Sequence, residues 1–244
     1  MLKRIDSLFS SCQILSRSEF GKIVKQKRVT VNGQLVKSPS QKIDDKVDTV
    51  CLDGEVVTFN KYLYIMLNKP QGVVSSTDEK GATTVIDILP LKYQLKGLFP
   101  CGRLDKDTVG LVILTNDGVS AHKRLSPKRH AEKVYYFETD DIVTESVVNQ
   151  IESGVTLKDG YTTKPCKVKL LSDNSGEITL TEGKYHEIKR IFGAKNNRIT
   201  YLKRIAFAGI QLDDNLSEGE SRLLTEEEIK LFTEWIWVKK LQNK

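Results

Sequence analysis

Nothing in this chain of 244 residues suggests a metal site, a disulfide framework or a membrane span. The four cysteines, Cys12, Cys51, Cys101 and Cys166, lie far apart without a C-x-x-C pair, and His122, His130 and His186 are equally scattered. Zinc sites need ligands at short, regular spacing, and disulfide scaffolds need dense paired cysteines, so both are excluded and a reducing cytosol is expected. There is no long apolar run and no basic-then-apolar leader after Met1, so neither a span nor a signal peptide is expected and the chain reads as cytoplasmic. No G-x-G-x-x-G follows a strand pattern and there is no P-loop, which leaves nucleotide cofactors without a motif. Internal repeats and low-complexity segments are missing as well.

Excess charge of either sign is also scarce overall, since 38 Lys and Arg against 32 Asp and Glu leave a net +6. Its distribution says more. Residues 1–42 hold nine Lys/Arg against Asp6 and Glu19, and residues 183–204 hold seven against Glu187. Residues 213–228 invert the pattern, with seven acids and only Arg222 opposing them. Two basic patches and one acidic tail suit a polyanion held at two places, with nucleic acid the leading candidate; a solvated basic face is the plainer alternative.

The first sixty residues read as a small separate unit. Leu2, Ile5, Leu8, Phe9 and Cys12 recur at helical spacing and predict a first helix. Ser16 and Glu19 form an S-x-x-E capping box that starts a second, with Phe20, Ile23 and Val24 inward. Arg17, Lys22 and Lys25 are left to solvent, and Lys27 and Arg28 stand at its end. Val29 to Val31, Asn32-Gly33 and Leu35-Val36 predict a strand, a tight turn and a strand, and Val47 to Val57, broken at Asp53-Gly54, predicts another hairpin.

Across this join the string SRSEFGKIVKQKRVTVNG resembles the S4-type (alpha-L) RNA-binding domain. The resemblance implies that Arg17, Lys22, Lys25 and Arg28 lie on RNA backbone, contacts that supply affinity and orientation but little sequence information. A helix–hairpin unit with ordinary surface lysines is the plain alternative. Residues 58–62 read as a linker between a domain of residues 1–60 and one of residues 61–244. The second alternates short strands with few helices, the pattern of one α+β domain.

Within that domain residues 102–118, GRLDKDTVGLVILTNDG, place Asp105 in a polar turn just before a buried strand. Leu111 to Leu114 is a continuous apolar run, as in a strand covered on both faces, and Asn116-Asp117-Gly118 ends it with turn chemistry. On spacing alone, a structural turn aspartate is the commoner reading of Asp105. The whole string, with LNKPQGVVSST at 67–77, Lys133-Val134-Tyr135, TEGKYHEIKRIF at 181–192 and GESRLL at 219–224, resembles the RsuA-type pseudouridine synthases. The resemblance runs from Arg4 to about Leu224 and is loosest at RIAFAGI, 204–210.

That resemblance implies a mixed, mainly antiparallel sheet domain and a reaction that isomerises a specific uridine to its C5-glycoside, pseudouridine. Reactant and product contain the same atoms, so no cofactor is expected. By the same resemblance Asp105 is the catalytic aspartate, stabilising or capturing charge at the sugar as a glycosidase carboxylate does. Tyr135 takes the family position that stacks on the flipped uracil and handles the C5 proton; on pattern alone it would be a core aromatic. Lys189 takes that of the cation that keeps Asp105 ionised in an enclosed cleft. The family pattern further implies that Arg103 fills the gap left by the flipped base, that Lys133 shares a strand face with Tyr135, and that Arg190 takes a phosphate. Tyr136, on the opposite face, is the better core candidate. SPKRH at 126–130 is a further basic turn, and Lys69 is a structural part of the cleft floor. Glu187 stands where the family usually has Gln, an extra acid expected to weaken RNA contact slightly. Glu226 to Lys244, with Ile229, Phe232, Trp235 and Ile236 at helical spacing, reads as a terminal docking helix. The expected partner is ribosomal RNA, 16S rRNA or a small-subunit assembly intermediate, met by a monomer. The alternatives are a large-subunit 23S rRNA synthase and a non-catalytic S4-type ribosome-binding protein.

Overall fold

The structure is a computed structural model that describes residues 2–12, 14–57, 59, 62–94, 97–126 and 131–234. It divides into two compact units, Met1–Leu63 with Lys92–Leu98, and Tyr64–Leu91 with Phe99–Lys244. Among the described residues no helix is long and apolar enough to cross a membrane.

The first unit comprises β1 (Lys3–Arg4), α1 (Ile5–Ser11), α2 (Arg17–Lys25), β2 (Val29–Val31), β3 (Gln34–Leu35), β4 (Lys42–Ile43), β5 (Val50–Leu52) and β6 (Glu55–Val56). The capping box opens α2: the Glu19 N–H donates to Ser16 Oγ at 3.3 Å, and the Ser16 N–H to Glu19 Oε2 at 2.8 Å. Phe9 and Phe20, ring centroids 4.4 Å apart, centre a core completed by Ile5, Ile23, Val29 and Ile43. Asn32 and Gly33 (φ 51° and 78°) turn β2 into β3, and Asp53 and Gly54 (φ 52° and 86°) turn β5 into β6, the left-handed pair that matches the twist of a tight hairpin. Two expectations fail at the edges. Leu2 is off the helical face and 63% exposed, because Lys3 and Arg4 pair with β4 as a strand before α1 begins. Val47 is also outside its hairpin, since the Val47 and Asp48 N–H groups close a turn onto the Asp44 carbonyl.

The second unit comprises β7 (Tyr64–Lys69), β8 (Phe99–Cys101), β9 (Val109–Thr115), α3 (Gly118–Leu125), β10 (Lys133–Thr139), α4 (Glu145–Glu152), β11 (Lys167–Ser172), β12 (Ser175–Leu180), α5 (Glu187–Gly193), β13 (Ile199–Phe207), β14 (Ile210–Gln211), β15 (Ser221–Leu223) and α6 (Glu226–Thr233). Its sheet runs β11-β12-β10-β13-β9-β7-β15, with β14 on β13 and β8 on β9. All pairings in it are antiparallel except β13 with β9. Strand β9 lies between β13 and β7 and every one of its residues is buried, which is why its sequence is a continuous apolar run. Gly110 permits the parallel crossing: a Cβ there would lie 2.4 Å from the Arg204 carbonyl oxygen, and its φ of +100° disfavours any other residue.

On β10 the alternation sends Tyr135 and Phe137 into the core, Phe137 packing on Phe192 of α5 at 4.8 Å between centroids. Tyr136 is therefore not the core tyrosine. It is half-buried on the other face, edge-on to Tyr201, with its hydroxyl donating to Glu138 at 2.8 Å. The end of the described chain docks as a short helix. Phe232 is buried edge-on against Tyr64, and Arg124 at the end of α3 donates to the carbonyls of Phe232 (2.5 Å), Leu231 and Glu234 (2.8 Å). A cation on the last carbonyls satisfies and charge-matches that helix end. Trp235 and Ile236 of the expected terminal helix lie outside the described residues, as do 127–130 of the basic turn and positions 58, 60 and 61 of the expected linker.

Candidate active site

The turn between β8 and β9 is built from below. Lys69, fully buried at the end of β7, donates from Nζ to the carbonyls of Thr108 (2.7 Å), Pro70 (3.0 Å) and Lys106 (3.3 Å). Burial lowers its ammonium to about 8, and the three carbonyls take the place of water. The Gly72 N–H reaches the Lys106 carbonyl at 2.8 Å, the Leu104 N–H donates to Ser75 Oγ at 3.1 Å, and the Thr108 N–H closes on the Asp105 carbonyl at 3.1 Å. The first motif thus serves as scaffold for the second, and the fixed turn presents Asp105 with 27% of its side chain exposed.

Opposite stands α5. Lys189 Nζ lies 3.1 Å from Asp105 Oδ2 and 2.5 Å from Asp107 Oδ1, bridging the two carboxylates. Burial alone would lower Lys189, but hydrogen bonds to Asp107 and Asp105 outweigh it and hold the ammonium above its ordinary value. The same bond holds Asp107 below the usual carboxylate range. His186 Nε2 is 3.5 Å from Asp105 Oδ1, and His186 takes a left-handed backbone conformation, φ 48°, at the start of the helix.

Around this cluster opens a cleft of about 830 Å³ whose lining carries eight Lys/Arg side chains against three carboxylates. Asp105, Tyr135, Lys189, Arg103 and Lys133 all line it, so residues from separate motifs meet at one place. Tyr135 is 9% exposed, and its hydroxyl has no protein partner among the described residues. Arg103 is exposed and without an ion pair among the described residues. Lys133 is largely buried, with Nζ donating to the Ala131 carbonyl at 3.1 Å and lying 5.8 Å from the Phe207 ring centroid; burial, then the Arg204 charge, lowers its ammonium. Arg190 is not in the cleft lining. It is paired with Asp159 at 2.5 Å, which occupies the guanidinium expected to hold a phosphate. In the first unit Arg17, Lys22 and Lys25 are exposed and make no ion pair among the described residues, whereas Arg28 is held by Asp53 at 2.8 and 2.5 Å.

Several cleft residues have surroundings that the sequence did not show. Arg204 is 1% exposed, donates to the Leu111 carbonyl at 2.7 Å and leaves Nη2 without a partner among the described residues. Glu182 accepts from the Tyr161 hydroxyl at 2.5 Å and the Lys164 N–H at 2.7 Å. Glu187 is only 4% exposed, so it is a buried cleft-wall residue and not a surface acid facing RNA. Asp107 was within reach of a sequence reading, two positions from Asp105, but spacing alone does not show that both carboxylates turn toward one lysine. Among the described residues no group of three or more His, Cys, Asp or Glu side chains is placed to hold a metal ion. The four cysteines are free, and burial pushes the Cys101 and Cys166 thiols up to about 12, far from a thiolate at neutral pH.

Comparison with known proteins identifies the family. Residues 63–194 match the family described as RNA pseudouridylate synthase, and residues 8–48 match the S4 domain. The ribosomal small subunit pseudouridine synthase A of Pasteurella multocida (strain Pm70) is 40% identical, over 94% of this chain and 99% of that protein. Its namesake from Escherichia coli (strain K12) is 36% identical over 93% and 98%. The Bacillus subtilis (strain 168) protein named uncharacterized RNA pseudouridine synthase YtzG is 39% identical over 95% and 98%. A solved structure titled crystal structure of pseudouridylate synthase superposes with a TM-score of 0.67 at 37% identity, covering 94% of this chain and 99% of that one. With an S4 domain, a synthase-family match over more than half its length and relatives of this identity over nearly all of it, the chain belongs to the RNA pseudouridine synthases of the RsuA type, a family of isomerases.

Proposed function

We propose that this protein isomerises one uridine of small-subunit ribosomal RNA, with Asp105 as the catalytic carboxylate and no cofactor. The observation that carries the reading is Asp105 itself: an accessible carboxylate on a fixed turn, held by Lys189 in a cleft rich in cations. The reaction breaks N1–C1′, makes C5–C1′, removes the proton from C5 and returns one to N1, so its atoms and electrons balance without a further reactant. Asp105 stabilises the positive character that builds at C1′ when the glycosidic bond opens. Tyr135 provides an aromatic face for the extruded base, and its free hydroxyl is the group that handles the C5 proton. Lys189, 3.1 Å away, is the counter-charge of that carboxylate. Arg103, exposed at the cleft lining, fills the stack the base leaves, since a planar guanidinium mimics a base in a stack.

The small subunit is chosen on two grounds: the relatives in Pasteurella and Escherichia carry it in their names, and they match 94% and 93% of this chain. A single-site enzyme reads folded RNA, so short oligomers are expected to be poor substrates. The protein acts as a monomer on rRNA or on a partly assembled subunit. The deciding experiment maps pseudouridine in rRNA from cells lacking the gene, complemented with the natural chain or with Asp105→Asn. One 16S rRNA uridine should lose its modification, regained with the natural chain and not with Asp105→Asn. Loss from 23S rRNA alone would overturn the choice of subunit, and full modification by folded Asp105→Asn would overturn the catalytic assignment.

A further inference from the structure

Tyr185 is anomalous among the aromatics of the cleft. Tyr135 is buried, and Tyr161 has its hydroxyl on Glu182 and the Lys184 ammonium 4.7 Å from its ring centroid. Tyr185 instead stands 76% exposed at the cleft lining, with no hydrogen bond to its hydroxyl among the described residues. It is nonetheless fixed. Its ring lies on the His186 imidazole with centroids 3.8 Å apart and planes 20° from parallel. His186 is anchored in turn by its 3.5 Å approach to Asp105 Oδ1. The Lys184–Glu187 turn beneath is closed in both directions, by the Glu187 N–H on the Lys184 carbonyl (3.2 Å) and the Lys184 N–H on Glu187 Oε2 (2.8 Å). His186 itself takes a left-handed backbone conformation, φ 48°, which is uncommon outside glycine.

We propose that Tyr185, stacked on His186, is a platform for an unpaired RNA base next to the reacting uridine, a subsite distinct from the Tyr135 pocket. The reading rests on the proposed RNA substrate. One face of Tyr185 is taken by His186 and the other is open, which is the arrangement for adding one more flat ring to a stack. The occupant is a nucleotide because of what else lines the cleft: Arg103, Lys106, Lys164 and Lys184 are exposed cations without a carboxylate partner among the described residues, positions for flanking phosphates. It is a neighbour of the reacting uridine because a single imidazole separates the platform from Asp105. Stacking tolerates any base, so the subsite contributes affinity and strand register more than base identity.

The test uses a full-length small-subunit rRNA transcript labelled with tritium at uracil C5, the position whose hydrogen isomerisation releases. Tyr185→Ala should raise KM by about 5- to 150-fold, the span of one base–aromatic stack, with the effect on KM rather than kcat. Tyr185→Phe and Tyr185→Trp should restore the wild-type KM, because a ring face and not a hydroxyl is required. The salt dependence of binding should stay that of the wild type, since no cation has been removed. Equal melting temperatures verify that each variant is folded. A Tyr185→Ala protein with wild-type KM, or a Tyr185→Phe protein as impaired as Tyr185→Ala, overturns the platform while wild-type turnover leaves the RNA reading standing. A wild-type protein that neither binds the transcript nor releases tritium overturns the RNA reading itself, and the platform with it.

Discussion

Lys189 is the residue on which the charge arrangement of the cleft turns. One ammonium, with 25% of its side chain exposed, serves Asp105 and Asp107 together. Replacing it by Met removes the positive charge that bridges Asp105 and Asp107. The electrostatic support lost is of the kind that fixed charges give a transition state, so Lys189→Met should lower kcat by about 100-fold or more. Its neighbour behaves differently. Arg190 is bound to the exposed Asp159, an ion pair of the class that contributes about 0–1 kcal/mol, and it does not line the cleft. Arg190→Met should therefore leave kcat within a few-fold of the wild type, by about the factor such a pair allows. Single-turnover rates on the same rRNA transcript compare the two; a larger loss for Arg190→Met would mean that the adjacent cations exchange roles when RNA is bound.

At the scale of elements, two carboxyls tie the cleft wall together. Glu182 and Glu187 bracket the turn that enters α5, and Glu182 also holds the Tyr161 hydroxyl and the Lys164 N–H from the segment after α4. Glu187 keeps the proton of the pair because it is the deeper of the two, while Glu182 is stabilised as the anion by those donors. Burial first, then the neighbouring Glu182 carboxyl, raises Glu187 from 4.5 to about 7. Between those values the folded protein holds a proton that the unfolded chain has already released, so stability falls as pH rises through that window. The full shift corresponds to about 3 kcal/mol across that window, whereas the lowered Glu182 changes stability only at pH below its ordinary value. Glu187→Gln should flatten that decline; thermal unfolding from about pH 5 to about pH 8 measures it, and a parallel decline in both proteins would exclude Glu187 as its source. None of this pairing was legible in the sequence, where Glu187 read as an acid facing RNA. Legibility followed local chemistry. The capping box at Ser16 and the left-handed turns at Asn32-Gly33 and Asp53-Gly54 depend on neighbours within a few residues, and they formed where expected. Leu2 and Val47 were misplaced because β1 pairing and the Asp44 turn are non-local or competing choices that periodicity ignores. Tyr136 was misjudged for a related reason: alternation gives two faces, but only the packing of α5 decides which one is buried. Asp105, Tyr135 and Lys189 were proposed through resemblance, and the fold brings the turn before β9, strand β10 and helix α5, which carry them, to one cleft.

At the scale of the whole molecule, positive charge is concentrated in each of the two units, and the reading of one polyanionic ligand held twice can be tested on the first unit without disturbing its core. Arg17, Lys22 and Lys25 lie on the exposed side of α2, while Phe20, Ile23 and Val24 on the other side carry the packing. Replacing the three cations by Ala should leave stability nearly unchanged, as surface substitutions away from caps and cores do. If each meets one phosphate, the slope of log affinity against log salt should become shallower by about 2 to 3. Arg28 provides an internal control. Its guanidinium is already occupied by Asp53 through bonds of 2.8 and 2.5 Å, so adding Arg28→Ala should change the slope less than any one of the other three. The slope belongs to binding, so kcat on saturating RNA should follow the cleft and not α2. An unaltered salt slope in the triple variant, at unchanged melting temperature, would show that α2 is a solvated basic face and that the cleft cations alone hold the RNA.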